Sequence, residues 1–451
     1  MVSADVTDGT HAPVRLSARR MLTGLARDPL GTLERISRDN DGAVVRVNLG
    51  AVRPFLFTAP DHVQRVLRER PAQYAREGML WKPLRRLEGD GIAGEGPNWA
   101  RSRRLLQPMF TAKHIAGLLD PMAEAIAVAV RQLDRHANSG APIDVAVEMT
   151  RVVHRSLIRA FFGDRISLDE AERLGQGIST AFASLGWRVL LPFAPDWVRL
   201  PGDGAFRRAV RTIDDVIYPH VRRARRTADG ADLLSLLASA RDEHGRPLDE
   251  RSVRDDVVAM FVAGTETTAL ALTWVWVMLG AHPQVAATLQ DEVDRVVGGD
   301  VASARHVSAL PYTKMVLQET MRLYPIGWLI PRTVQEPDVV GGVPIPAGAT
   351  VLLSPYLTQR LASQWERPDA FDPRRFAPER TQRRHRFAYF PFGAGVHQCL
   401  GSHFFTAEAQ LIVASMVSRF RTGLLGSEPT AVQAAATLRP RRPVEMTLRR
   451  R

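Results

Sequence analysis

The chain of 451 residues holds a single cysteine, Cys399, so no intrachain disulfide can form. A secreted disulfide scaffold is excluded, and the reducing cytoplasm is the expected location. One cysteine also cannot build a four-cysteine zinc site or hold an iron–sulfur cluster. Lysine is scarce as well: only Lys82, Lys113 and Lys314 occur, so arginine carries almost all of the net charge of +12. Those arginines are scattered and lack interleaved aromatics, which argues against a nucleic-acid-binding stripe. Low-complexity segments and repeats of fixed period are absent. Glycine (33) and proline (30) are too few for a collagen-like or proline-rich chain. Against these absences stand 45% hydrophobic and 24% charged residues, the composition of a globular chain.

No signal segment or membrane anchor is expected. Arg19 and Arg20 precede a short apolar run that stops at Arg27 and Asp28. That run falls short of the apolar core of about 7–15 residues that a signal peptide needs. The best membrane candidate, residues 257–281, carries Glu266 and four threonines. An acid at a bilayer centre costs about 2.5–3.5 kcal/mol, so a buried helix with a functional acid is the better reading.

Residues 43–49 and 54–58 read as short strands joined by a turn at Gly50. Residues 60–70 read as a helix with Val63, Val66 and Leu67 on one face. Helical patterning dominates from Trp99 to about Gly298, with breaks near residues 139–142, 192–204 and 245–247. Asp249 is placed to cap a long helix running through Ala281. After Pro325 come short strands, turns and prolines up to Gly401, then a last helix over residues 402–420. The fold class is therefore mainly α with a minor β portion, in one large domain over residues 28–451 behind an N-terminal extension, 1–27.

The chemistry centres on Phe392-Gly393-Ala394-Gly395-Val396-His397-Gln398-Cys399-Leu400-Gly401. Its glycines allow positive φ and close approach of a flat ligand. Cys399 stands just ahead of a helix N-terminus, where free N–H groups and the helix dipole favour a thiolate. The local sequence leaves a metal ligand and a small buried core residue both open. A zinc shared by His397, Cys399 and His403 lacks an evident fourth ligand. Gly393-x-Gly395 lacks the third glycine of a dinucleotide loop. Two further motifs stand out. Ala263-Gly264-Thr265-Glu266-Thr267-Thr268 puts an acid and alcohols inside an apolar helix, a Thr-rich kink being the plain structural meaning. Glu319-Thr320-Met321-Arg322 puts opposite charges three apart on one helix face, which at a surface is worth a few tenths of a kcal/mol.

The decapeptide closely resembles the haem-binding loop of the cytochrome P450 family, and the other motifs follow in that family's order from about Asp28 to Thr447. The resemblance implies a single domain with haem between the long central helix and the cysteine loop with its last helix. Cys399 is then the proximal iron ligand of haem b, flanked by Phe392 and Gly401. Ala263 and Gly264 make room for dioxygen, and Glu266 and Thr267 deliver the two protons that O–O cleavage requires. Trp99, Arg103, Arg332 and His397 hold the haem propionates by charge-assisted hydrogen bonds. Glu319 and Arg322 are buried and bond Arg375, fixing the cysteine loop.

Departures from the family pattern are Val396 for proline, Phe405 for alanine, Gln359-Arg360 for His-Arg, an atypical stretch over residues 361–364, and Arg374 for an acid. None touches the cysteine, the acid–alcohol pair or the Glu–Arg pair.

The implied activity is monooxygenation: one oxygen atom of O2 enters a hydrophobic molecule, by hydroxylation or epoxidation, and the other becomes water. Electrons are expected from NAD(P)H through a separate acidic ferredoxin or flavodoxin and its reductase, because the chain ends soon after the last motif. The expected pocket wall includes Met79, Trp81, Phe182, Leu185, Phe261, Ile326, Trp328, Leu329 and Thr437, mainly apolar residues that suit a terpenoid or other natural product. Three alternatives remain at this point. One is a fatty-acid hydroxylase, with Arg76, Lys82 or Arg85 meeting a carboxylate. Another is a haem-thiolate catalyst without external electrons, such as a peroxygenase, an isomerase or a nitrogen-transfer enzyme. The third is a non-catalytic haem sensor.

Overall fold

A helix that is apolar on every side belongs in a core. The helix Glu250–Ala281 meets that condition, and Asp249 caps it by accepting from the Ser252 amide at 2.7 Å. It is long and apolar enough to cross a membrane, but 72% of its apolar window is buried within the protein. In the computed structural model the described residues are 13–15, 23–24, 27–48, 53–77, 81–163, 165–191, 194–195, 197–227, 232–426 and 430–451. Arg19, Arg20, Leu49, Gly50 and Met79 lie outside them.

The chain divides into two compact units. The second unit holds residues 78–320, 400–431 and 440–451, and it is mostly helical. In it the helix Val145–Phe162 packs on both Glu250–Ala281 and Ala112–Gln132. The indole Nε1 of Trp276 points at the Met149 sulfur, 3.4 Å away. A small antiparallel sheet joins Phe420–Leu424 to Glu445–Arg450 and then to Ile143–Asp144.

The last helix, Ser402–Arg419, is buried over most of its length. Gln410 pins it by donating to the carbonyls of Val307 and Leu310, both at 3.0 Å. Glu408 on the same helix is fully buried, and among the described residues neither carboxyl oxygen has a partner at normal hydrogen-bond geometry. Burial pushes its carboxyl up to about 8, and the Ser156 hydroxyl opposes that only in part.

The first unit holds residues up to 77 together with 321–399 and 432–439. Its six-stranded sheet runs in the order Val14–Arg15, Val45–Arg46, Phe55–Phe57, Thr350–Leu353, Ile330–Val334, Tyr74–Ala75. The two strands expected at residues 43–49 and 54–58 are shorter than the pattern suggested, and they pair antiparallel. The helix expected over residues 60–70 is α only at Pro60–Gln64 and widens into a π turn at Arg65–Glu69. Val63, Val66 and Leu67 are buried as predicted. Asp338, itself buried, fixes the π turn. It accepts from Arg65 Nε at 2.9 Å and from the Tyr74 hydroxyl at 2.6 Å. Burial works against its ionisation, yet these bonds bring it down to about 2.

The π turn supports the cysteine loop. Gly395 has φ of 70°, and a Cβ there would fall 1.6 Å from the Leu67 carbonyl oxygen. Only glycine permits that approach. Gly393 also has positive φ, 64°, but a Cβ there would meet nothing within 4 Å.

Two outcomes are expected. Gly393→Ala loses only the backbone penalty of about 1–2 kcal/mol. Gly395→Ala adds a main-chain clash, so its Tm falls clearly further; equal Tm values for the two variants would show that the Leu67 contact is unimportant. For Glu408, the unfolded chain releases the proton near the ordinary value of about 4.3, whereas the folded chain holds it up to about 8. Stability therefore falls as pH rises between those values, by up to about 1.4 kcal/mol per unit. Glu408→Gln removes this slope, so thermal melts from pH 5 to 8 should diverge in favour of the variant as pH rises. Parallel Tm curves would contradict the assignment.

Candidate active site

The cysteine loop belongs to the first unit. A turn closes from the Gly393 amide to the Phe390 carbonyl at 2.9 Å, and a 3-10 turn follows at Gly395–His397. The Cys399 amide then donates back to the Phe392 carbonyl at 2.9 Å. The loop is thus shut by its own main chain, with the Cys399 side chain exposed at its end. Gly401 follows as the N-cap of the last helix.

The base of the loop is held by Arg322, which is completely buried at the end of the helix Pro311–Leu323. Its guanidinium donates to the carbonyls of Gln359 at 2.9 Å, Pro368 at 2.7 Å and Ala370 at 3.0 Å. It also lies over the Trp365 ring, 4.9 Å from the centroid. Glu319 is completely buried one turn earlier, and Arg375, also buried, donates to the Arg367 carbonyl at 2.9 Å.

Gln359 stands in sequence only as a departure from the family pattern. It is the connector. Its amide donates to the carbonyls of Met321 at 3.1 Å and Arg322 at 2.9 Å, and its oxygen accepts from the Phe390 amide at 2.9 Å. The helix end is thereby tied to the residue where the cysteine loop begins. The sequence carries no signal for this role, because all three partners are main-chain groups; the burial of the amide itself requires that it be bonded.

Arg332 is buried in the strand Ile330–Val334 and donates to the Pro331 carbonyl at 2.8 Å, while His397 is half-buried in the loop. Segments 326–330 and 432–438 come together in the same unit. Leu438 donates to the Ile326 carbonyl at 3.0 Å, and Trp328 Nε1 to the Ala435 carbonyl at 2.8 Å. Ile326, Trp328, Leu329 and Thr437 are therefore neighbours, with the Trp328 ring in the apolar cluster of Leu30 and Leu33.

In the second unit the long helix is buried at every residue from 253 to 279 except four: Ala263, Gly264, Glu266 and Thr267. Ala263 is exposed and the other three are half-buried. The hydroxyl of Thr267 donates to the Ala263 carbonyl, and that of Thr265 to the Phe261 carbonyl at 2.8 Å. Threonines bonded back in this way bend a helix. Trp99 and Arg103 are half-buried on the helix Gly96–Leu106, and Arg103 Nε donates to Gln107 at 3.1 Å.

Of the remaining pocket candidates, Phe182 is half-buried, Leu185 buried and Trp81 half-buried. Phe261 turns its ring into the helix packing, against His154 at 5.4 Å and Phe162 at 6.3 Å between ring centroids. Burial drives the His154 imidazole down to about 4, so it is neutral there.

These features fit the haem that the motifs imply. The Cys399 thiol is exposed, Gly393 in the same loop has open space beside it, and small residues lie in the open stretch of the helix. Among the described residues no group of three His, Cys, Asp or Glu side chains converges, so a shared zinc has no ligand set.

Comparison with known proteins gives the same answer. The sequence profile described as Cytochrome P450 matches residues 32–448. Cyclooctatin synthase of Streptomyces melanosporofaciens is 33% identical over 88% of this chain and 86% of its own. Cyclooctat-9-en-7-ol 5-monooxygenase of the same organism is 32% identical over 92% and 89%. Pentalenene oxygenase of Streptomyces avermitilis is 29% identical over 93% and 92%. In fold, the crystal structure of the cytochrome P450DA heme domain superposes with a TM-score of 0.89 over 98% of each chain, at 24% identity. With its motifs, its fold and its relatives agreeing over nearly the whole length, the chain belongs to the cytochrome P450 family of haem-iron monooxygenases.

Proposed function

We propose that this enzyme inserts one oxygen atom from O2 into a terpenoid, with Cys399 as the residue that would bind the iron of haem b. The observation that carries the proposal is the open stretch of the long helix, where between residues 253 and 279 the only gaps in its burial are two small residues and an acid–alcohol pair. Thiolate-bound haem supplies the dioxygen chemistry, because the thiolate favours O–O cleavage. The chain's own residues do the rest. Glu266 takes up protons at its carboxylate, and Thr267 passes them on at Oγ1 after leaving the Ala263 carbonyl. Ala263 and Gly264 keep the helix surface low at that point. Arg103, Arg332 and His397, with the indole of Trp99, hold the haem carboxylates. Phe392 and Gly401 flank the ligand, while Glu319, Arg322 and Arg375 keep the loop in place.

Two relatives are named as oxygenases of cyclooctat-9-en-7-ol and of pentalenene, which supports a terpene hydrocarbon or alcohol over a fatty acid. Apolar candidates such as Leu185, Ile326 and Leu329 suit such a molecule. Electrons come from NAD(P)H through a separate acidic ferredoxin or flavodoxin, steered by the net charge of +12. The cytoplasm is the proposed location.

Thr267→Ala should keep NAD(P)H consumption but lower product formed per NAD(P)H by about tenfold or more, given the usual weight of positioned proton transfer. Equal product per electron in both forms would overturn the role of the pair. Cys399→Ser should abolish product formation, and full activity in that variant would overturn the thiolate reading.

A further inference from the structure

Three consecutive residues near the start of the long helix grip the segment that leads into the helix of Trp99 and Arg103. Arg254 Nη1 donates to the Leu87 carbonyl at 3.0 Å, while its Nε is paired with Asp214 at 2.7 Å. Asp255 lies against Gly89, and a Cβ on that glycine would fall 2.1 Å from the carboxylate. Asp256 goes further. One carboxylate oxygen accepts from the Ile92 amide at 2.8 Å, and the other accepts from the Ser102 hydroxyl at 2.7 Å. A Cβ on Gly91 would lie 2.1 Å from the first of those oxygens. Asp256 and Ser102 are both essentially inaccessible to solvent.

A carboxylate taken out of water is costly unless its bonds are made. Here they are made to two points of one structural element. Ile92 stands just ahead of the helix Gly96–Leu106, and Ser102 lies inside it, next to Arg103 and three residues after Trp99. On the other side of the bridge, Asp256 is seven residues from Ala263 and eleven from Thr267. At 3.6 residues per turn those spacings are about two and three turns, so all three share one face of the long helix.

We propose that Asp256 is a positioning residue, which pins the Trp99/Arg103 helix to the oxygen-handling face of the long helix and so sets how the haem carboxylate is held relative to Thr267. The second half of this statement rests on the reading that Arg103 and Trp99 hold a haem carboxylate. Asp256 itself touches neither haem nor substrate; it acts through Ser102 and Ile92.

Two readouts test the proposal on the haem-loaded full chain: amide hydrogen exchange by mass spectrometry, and the rate of haem transfer to excess apo-globin. Asp256→Ala should raise exchange by about tenfold over residues 91–104, the effect of losing a buried charged acceptor. The last helix and the long helix beyond Thr267 should keep their protection. Haem transfer should accelerate severalfold. Asp256→Asn, which keeps the shape and one acceptor, should recover most of both effects. If Asp256→Ala does not fold, Ser102→Ala removes one of the two bonds and should move both readouts the same way by less. Unchanged exchange over residues 91–104 overturns the proposal. So does a uniform rise across the whole chain, which would mark a general packing role. Arg103→Ala separates the two levels. If it loses haem at the wild-type rate, the carboxylate reading fails, and the exchange data still judge the pin.

Discussion

Everything in the first unit that concerns chemistry depends on one buried cation. Arg322 has no solvent to hydrate it, and three main-chain carbonyls and the face of Trp365 receive its guanidinium. Removing one partner of such a buried set costs about 3–5 kcal/mol, because the remaining charges and carbonyls are stranded. That cost gives the loop its rigidity. Gln359 extends the same network to Phe390, where the cysteine loop starts, and the loop then closes on itself at Cys399. In the proposed reading, this network would hold the loop that presents the Cys399 thiolate.

The second unit solves a different problem. Its long helix is buried, so a polar group along it must be bonded, functional or both. Asp256 is bonded, to Ser102 and Ile92. Thr265 is bonded to its own helix. Between residues 253 and 279, Glu266 and Thr267 fall in the one stretch where burial breaks, beside Ala263 and Gly264. One helix therefore combines structural polar groups near its start with an accessible acid–alcohol pair about three turns later.

Much of this was legible in the sequence. The long helix and its Asp249 cap follow from periodicity and a cap residue. The last helix begins where Gly401 ends the cysteine loop, and Glu319 and Arg322, three apart in sequence, are both buried. What was not legible depends on contacts between distant segments. The π turn at Arg65–Glu69 exists because Asp338, far along the chain, bonds Arg65 and Tyr74. Gln359 looked like a lost histidine, because its three partners are main-chain groups that leave no sequence signature. The bridge at Asp256 was hidden for the same reason: nothing in the sequence links it to an amide at Ile92. Trp328 and Phe261 read as apolar wall candidates, yet periodicity does not say which way a ring turns. The structure sets one beside Leu30 and the other against His154.

The central claim is that this chain binds haem through Cys399 and takes a terpenoid. A visible-absorption titration of the purified ferric protein with terpene hydrocarbons, terpene alcohols, fatty acids and aromatics tests it most directly. The account predicts a haem spectrum whose Soret band moves to shorter wavelength with terpenes, saturating at low concentration, and stays in place with fatty acids and aromatics. A protein that carries no haem, or one whose band answers only to fatty acids, would contradict it.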